Sequence, residues 1–365
     1  MAALPAEVRD LLALQMIEGL GPQRIRALFA HFGTLDRIRH ASIAELTQVP
    51  GIGDATARTI HAELPAVDIA AEVDRLERAG VRVLAPTLPG YPATLRPIPS
   101  APLLLFARGE ITAADERAVA LVGTRHVNTY GRRVAQTLAA GLARAGVAVV
   151  SGLARGVDGI CHRAALDAGG RTLAVLAGGL SRIYPPEHTD LAAAIPTAGA
   201  VLTEATMTQP PTQWRFPARN RIISGLSRVI VIVQAPTGSG ALITADHAAE
   251  QGKLVMAVPG GVDDEQHAGC HRLLRDGAVL CRGVDDILEE LDGFSNTLRQ
   301  RDDPAPEAVP QPAPPPPPPP RTGPPPGLDD TGRRIWELLA DGSRAIDEIA
   351  QQLALAVPPL TTALM

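Results

Sequence analysis

Lysine is almost absent from this sequence: Lys253 is the only one, and arginine supplies the rest of the positive side-chain charge. Cysteine is scarce as well. Cys161, Cys270 and Cys281 are an odd number at wide spacing with no C-x-x-C pair. That excludes a cysteine zinc site and a disulfide framework, and it leads to the expectation of a reducing, cytoplasmic location. No hydrophobic run approaches a membrane span, the longest lying near Val229–Val233. The opening residues MAALPAEVRD lack the basic and apolar regions of a signal peptide, so none is expected. The net charge of −5 excludes a general basic coat for nucleic acid. Any polyanion site therefore has to be a local cluster of arginines. Aromatic residues make up 3% of the chain, which makes the position of each one informative.

What is present divides into four stretches. Residues 1–65 read as a small helical domain with two similar pieces, GLGPQRIRALFAHFG (Gly19–Gly33) and VPGIGDATARTI (Val49–Ile60). In each, glycines supply the positive φ of a tight interhelical turn before an amphipathic helix. This is the pattern of a SAM-like or helix-hairpin-helix unit. Such a turn either faces a DNA phosphate or only packs one small domain. Residues 66–295 form the second stretch, with strands expected at Val81–Leu84 and Leu103–Ala107. From Val119 to Leu291 short apolar runs then alternate with helical patterns. Strands are expected at Val119–Val122, Val147–Val150, Leu173–Leu176, Val201–Leu202, Val229–Val233, Leu254–Val258 and Ala278–Leu280. Buried strands with helical crossovers imply an α/β fold, a doubly wound and mostly parallel Rossmann-like sheet covered on both faces. Residues 296–328 read as a Pro-rich linker, with seven consecutive prolines at Pro314–Pro320. Residues 329–365 read as two amphipathic helices, Thr331–Leu339 and Ile346–Leu353, and the start of a third at Pro358–Leu364. They resemble a partial winged-helix unit that stops before its wing.

In open α/β sheets ligands bind beyond the strand C-termini. Three turns there carry informative residues: Gly123-Thr124-Arg125, Ser151-Gly152 with Arg155, and Gly178-Gly179 leading to Tyr184-Pro185-Pro186. A fourth segment, FPARNRIISGLS, sets Phe216, Arg219, Asn220 and Arg221 at the start of a helix, an arrangement suited to gripping an anion. Tyr130, Tyr184, Trp214 and Phe216 fall at the same predicted edge. Single strands bind to such arginine-lined grooves with stacking surfaces. The glycine-rich segment PTGSGALITADHAAEQGK lacks the Gly-Lys-Ser/Thr of a Walker A loop, and no G-x-G-x-x-G with a following acid is present. Gly238 and Gly240 are expected to permit close helix–sheet packing. No H-E-x-x-H or G-x-S-x-G pattern occurs; Asp158 and His162 read as helix buttresses, and Glu204 is the one lone candidate for a general base. No catalytic residue, metal site or cofactor is expected.

The GTR turn, SGLARGVDGICHRAAL, the YPPEH block, FPARNRIISGLS and GSGALITADHAAEQGK, in that order, resemble the DNA-processing protein A family (DprA/Smf). The resemblance implies an extended Rossmann-like domain that binds single-stranded DNA, forms a homodimer and loads the RecA recombinase during natural transformation, without being an enzyme. It places DNA contacts at Gly123, Thr124, Arg125, Ser151, Gly152, Arg155, Phe216, Arg219, Asn220 and Arg221. It places the dimer and recombinase surfaces near His271–Leu280. Weak duplex binding by the tail is the further partner it suggests. The competing reading is a nucleotide enzyme of the phosphoribohydrolase-like group, but Pro259-Gly260-Gly261 is followed by VDDEQ, without that group's Thr and Glu. On the sequence alone, Arg125→Ala and Arg219→Ala are both expected to weaken oligo-dT binding and to flatten its salt dependence. Titrations across a salt series check this.

Overall fold

The computed structural model describes residues 4–302, 323–324, 327–339 and 346–353. It divides into two compact units, Met1–Gln300 and Arg301–Met365.

The first unit opens with α1 (Ala6–Gln15), α2 (Pro22–Phe32), α3 (Leu35–His40), α4 (Ile43–Leu46) and α5 (Asp54–Glu63). Two glycine turns repeat one geometry. Gly19 and Gly51 hold φ of 79° and 81°, and Gly21 and Gly53 then start α2 and α5 as extended N-cap residues without a side-chain cap. A side chain at the first glycine of each pair would be strained, which is why the turn is spelled Gly-x-Gly. The short helices between them are capped instead, α4 by a reciprocal Ser42–Glu45 box. These helices bury Leu14, Ile25, Leu28, Ile38, Leu46 and Ile60 together. Val8 and Leu12 of α1 instead join Leu76 of α6 (Ile69–Arg78) and Phe106 of the sheet. The N-terminal helices are thereby fastened to the α/β body by apolar burial.

Nine strands follow: β1 (Arg82–Leu84), β2 (Leu105–Gly109), β3 (Val119–Gly123), β4 (Val149–Ser151), β5 (Thr172–Leu176), β6 (Ala200–Thr203), β7 (Val229–Gln234), β8 (Leu254–Ala257) and β9 (Val279–Leu280). They form one sheet in the order β1-β2-β6-β5-β4-β3-β7-β8-β9. The β1–β2 and β2–β6 pairs are antiparallel and the others parallel. The crossover helices are α7 (Thr129–Arg144), α8 (Val157–Asp167), α9 (Thr189–Ala194), α10 (Arg215–Leu226), α11 (Gly240–Glu250) and α12 (Ala268–Arg275), with α13 (Val284–Asp302) after β9. Strand residues alternate between faces: Ala120 and Val122 of β3 pack with α10 and α11, while Val119 and Leu121 pack with α7, α8 and α13. This is the extended, doubly wound Rossmann-like sheet that the apolar runs predict. Strand order reverses between β3 and β7, and that switch point locates the ligand crevice.

The helix after Trp214 begins at Arg215, with Phe216 and Pro217 in its first turn. Proline is tolerated there because N–H groups of the first turn have no intrahelical partner. Helix α13 continues to Asp302, so the linker start expected at 296 lies within a helix. The proline run Pro314–Pro320 and the expected third tail helix lie outside the described residues. In the second unit α14 (Asp330–Leu338) and α15 (Ile346–Leu353) pack through Ile335, Ile349 and Leu353, and Asp329 caps α14 by accepting the Gly332 N–H. The winged-helix reading extends past these two helices. No helix among the described residues is long and apolar enough to cross a membrane.

His162 gives the fold a pH response. It is fully buried on α8, its Nδ1–H donating to Thr172 Oγ1 (2.7 Å) while that hydroxyl donates to the Val149 carbonyl. Nε2 is buried without a partner. Burial, then the charges of His188 and Arg219, push its pKa down to about 3. A histidine of ordinary pKa in the unfolded chain takes up a proton that the native state refuses, so stability is full above about pH 6.5 and falls as pH drops toward 3. The loss is on the order of 4 kcal/mol for this group. Urea denaturation at stepped pH should show a shallower acid slope in His162→Gln than in the parent chain.

Candidate nucleic-acid interface

The switch point is built by backbone first. After β3 the Thr124 N–H donates to the Gln234 carbonyl (2.7 Å), and the Thr124 carbonyl accepts from Val157 (3.2 Å). Gln234, buried at the end of β7, also takes the Asn128 N–H on its side-chain oxygen (3.0 Å). Asn128 in turn caps α7 by accepting from Gly131. Gly156, at φ 75°, runs so close to Thr124 and Arg125 that a Cβ there would collide with the Thr124 carbonyl. These contacts fix the turn that carries Arg125. Its side chain is exposed and makes no ion pair among the described residues; its guanidinium lies 5.0 Å from the Phe216 ring centroid.

From Arg125 a row of cations and rings runs along the rim. Phe216 meets Tyr184 edge-on at 5.8 Å, and the Tyr184 ring lies 5.8 Å from the Arg155 guanidinium. Arg155 is exposed and ion-paired with Glu187, which holds the Glu187 carboxyl below its usual range. Beneath the row a cavity of about 660 Å³ is lined by Gly123, Thr124, Arg125, Phe216, Arg219 and Asn220, and closed on the far side by Thr237–Gly240 and Thr244. The arrangement offers phosphates an exposed guanidinium and offers bases two partly exposed rings.

The arginines of the FPARNR segment do three different jobs. Arg219 is buried, donating to the carbonyls of Gly152 (2.7 Å) and Val175 and to Asn220 Oδ1 (3.2 Å). Burial pushes its pKa down to about 10, against the attraction of Asp158. Asp158 is itself buried, its carboxyl raised by desolvation and opposed by Arg219 and the N–H groups of Ala154 and Gly152. With its donors spent on backbone carbonyls and on Asn220, Arg219 forms the floor of the crevice rather than an open grip. Asn220 ties α10 to α11 through the Gly240 carbonyl (3.1 Å). Arg221 points to the other side, its Nη2 donating to both Glu204 carboxylate oxygens (2.7 and 2.8 Å) and its other nitrogens to the Ser100 and Ala218 carbonyls. That pairing also places Glu204 away from the crevice as the partner of an arginine.

Of the remaining expected residues, Ser151 is fully buried with its Oγ donating to the Leu121 carbonyl (2.7 Å), and Gly152 lies under the Arg219 guanidinium. Both shape the floor. Gly238 and Gly240 have no atom within 4 Å of a built Cβ, so the close helix–sheet packing expected of them is absent; Gly238 is required by its φ of 78°. Tyr130 is half-buried with its hydroxyl donating to the Pro259 carbonyl, while Trp214 is half exposed. Gln234 went unnoticed in the sequence, because a lone glutamine at a strand end carries no motif.

Removing the buried guanidinium leaves the Gly152 and Val175 carbonyls without their donor. Arg219→Ala should cost about 1–3 kcal/mol for each carbonyl left unpaired, measured by urea unfolding.

A family model described as DNA recombination-mediator protein A matches residues 82–292, and a SAM-like helix-hairpin-helix tandem matches residues 11–65. Protein Smf of Synechocystis sp. is 30% identical over 370 residues, covering 97% of this chain and 93% of that protein. The X-ray structure of DNA processing protein A from Streptococcus pneumoniae aligns with a TM-score of 0.65 at 31% identity, covering 77% of this chain and 97% of that one. DNA processing protein A from Helicobacter pylori, solved for its single-stranded DNA binding mode, aligns with a TM-score of 0.51 at 29% identity over 60% of this chain and 96% of that one. With the matched model spanning the whole sheet and its crevice, the chain belongs to the DNA recombination-mediator protein A family.

Proposed function

We propose that this chain binds single-stranded DNA in the crevice between β3 and β7, protects incoming DNA and passes it to the RecA recombinase during natural transformation, acting in the cytoplasm as a homodimer. The observation that carries the reading is the row Arg125–Phe216–Tyr184–Arg155 along the rim of a 660 Å³ cavity. Cations alternating with rings suit a chain of phosphates with splayed bases, whereas stacked duplex bases offer rings nothing to stack on. The family membership and the single-stranded DNA binding mode of the H. pylori relative support it. In this reading Gly123, Thr124, Arg125, Phe216 and Arg155 meet the strand, and Ser151, Gly152, Arg219 and Asn220 hold them in place. Recombinase loading and dimerisation come from the family resemblance, which assigns those surfaces to the neighbourhood of His271–Leu280. The residues 1–65, 66–295, 296–328 and 329–365 are proposed as the working divisions of the chain.

The protein acts here as a binder. The crevice acid Asp158 is held by Arg219 and two backbone N–H groups, and Glu204 by Arg221. The Pro259-Gly260-Gly261 segment packs against the His267 ring. In this reading the acids beside α10 serve structure rather than hydrolysis.

Arg125→Ala should lower affinity for oligo-dT by roughly tenfold and reduce the magnitude of the salt slope by about one phosphate equivalent, with the unfolding midpoint unchanged. Fluorescence anisotropy from low to high salt checks this. Wild-type affinity in that variant at every salt concentration would remove Arg125 from the site.

A further inference from the structure

The start of α10 separates two cavities. Phe216, Pro217 and Asn220 line the crevice described above. Trp214, Arg215, Ala218 and Arg221 line a second cavity of about 390 Å³, whose opposite wall is the Gly19–Gln23 turn of the first helix-hairpin-helix piece. The cavity lies within the size range of pockets that enclose small organic groups.

Its chemistry is that of a base-stacking site. Trp214, one of two tryptophans in the chain, is left 51% exposed at the rim. The Arg215 guanidinium covers its ring at 4.4 Å from the centroid. An indole and a planar cation in contact form the kind of platform on which nucleobases stack. The interior is apolar through Leu20, Ile25 and Leu103. Gln23 closes one side by donating to Ser100 Oγ (2.7 Å). The charge balance also favours a polyanion. Glu204 on the floor is already neutralised by Arg221, while Arg24 and Arg215 make no ion pair among the described residues. The glycine turn keeps its backbone open to close approach, and α2 starts at Pro22 without a side-chain cap.

We propose that this second cavity takes a nucleobase of the same strand that occupies the crevice, with Trp214 as its stacking surface, so that the strand passes over the start of α10. The proposal rests on the single-strand reading above and extends it to the N-terminal helices. It assigns the first helix-hairpin-helix turn to holding an unpaired base, a role distinct from gripping duplex phosphate.

Full-length Trp336→Phe leaves Trp214 as the sole tryptophan. Its emission should be quenched by oligo-dT in step with binding measured by anisotropy, and left unchanged by an abasic oligomer of equal length. Trp214→Ala should weaken oligo-dT binding by about tenfold or more, the scale of one stacked base, and Trp214→Phe should restore most of it. Oligo-dT binding that Arg125→Ala weakens, with Trp214 emission flat and Trp214→Ala binding as wild type, overturns this proposal alone. Absence of any oligo-dT binding by the unmodified chain overturns the single-strand reading with it. Quenching by free thymidine monophosphate as strong as by the oligomer would make the cavity a mononucleotide site and overturn the strand assignment.

Discussion

The C-terminal edge of a parallel sheet ends in carbonyl groups that the next strand residue no longer pairs. In this protein those of Gly152, beyond β4, and Val175, in β5, are taken by one guanidinium, that of Arg219. Both bonds come from one terminal nitrogen, Nη1, whose N–H groups serve the two strand ends together, while Nε donates to Asn220 Oδ1. The buried cation is attracted by Asp158 nearby, whose carboxylate accepts the backbone N–H groups of Gly152 and Ala154 in the turn after β4. Strand ends, the start of α8 and the first half of α10 are thereby locked to one another. Phe216 lies one helical turn before Arg219 on the same element, so the ring that faces Arg125 is placed by a residue that itself has almost no contact with solvent.

The parallel strands from β3 to β8 are easy to read in the sequence because burial on both faces makes them apolar runs, and the edge strands β1, β2 and β9 overlap shorter ones. The two hairpin turns are equally plain, since a positive φ at Gly19 and Gly51 admits almost nothing but glycine. The crevice was legible as a set of loops. The division of labour within Arg219-Asn220-Arg221 was not. Residues two apart on a helix point about 200° from each other, so Arg219 and Arg221 cannot share a wall whatever their charge suggests. That phase depends on which face of α10 meets the sheet, and the apolar positions Ile222, Ile223 and Leu226 are too closely spaced to settle it. Gln234 illustrates a different limit: its importance comes from clamping two backbone N–H groups of a loop far away in sequence, a property visible only once β3 and β7 are neighbours.

The few aromatic residues gain meaning from the same geometry. Tyr130 is an internal brace, its hydroxyl on the Pro259 carbonyl and Arg133 over its ring, while Phe216, Tyr184 and Trp214 pair with arginines at the rims of the two cavities. A chain with so little aromatic surface has placed three of its rings next to cations at one end of its sheet. The two cavities they border are separated by little more than the first turns of α10, so the N-terminal helices and the α/β body present one continuous face there.

Arg155 differs from Arg125 in already having a partner. Its charge is neutralised by Glu187, so a phosphate arriving there would displace a carboxylate of the protein rather than a salt ion from solution. The transaction at that position is an exchange of anions. The phosphate would still shed its condensed cation, but freeing the Glu187 carboxylate would oppose that gain, so a contact at Arg155 would add less to the salt slope than one at Arg125. Along one row of arginines, then, one cation stands open to an incoming anion and another already has a competitor built into its own chain.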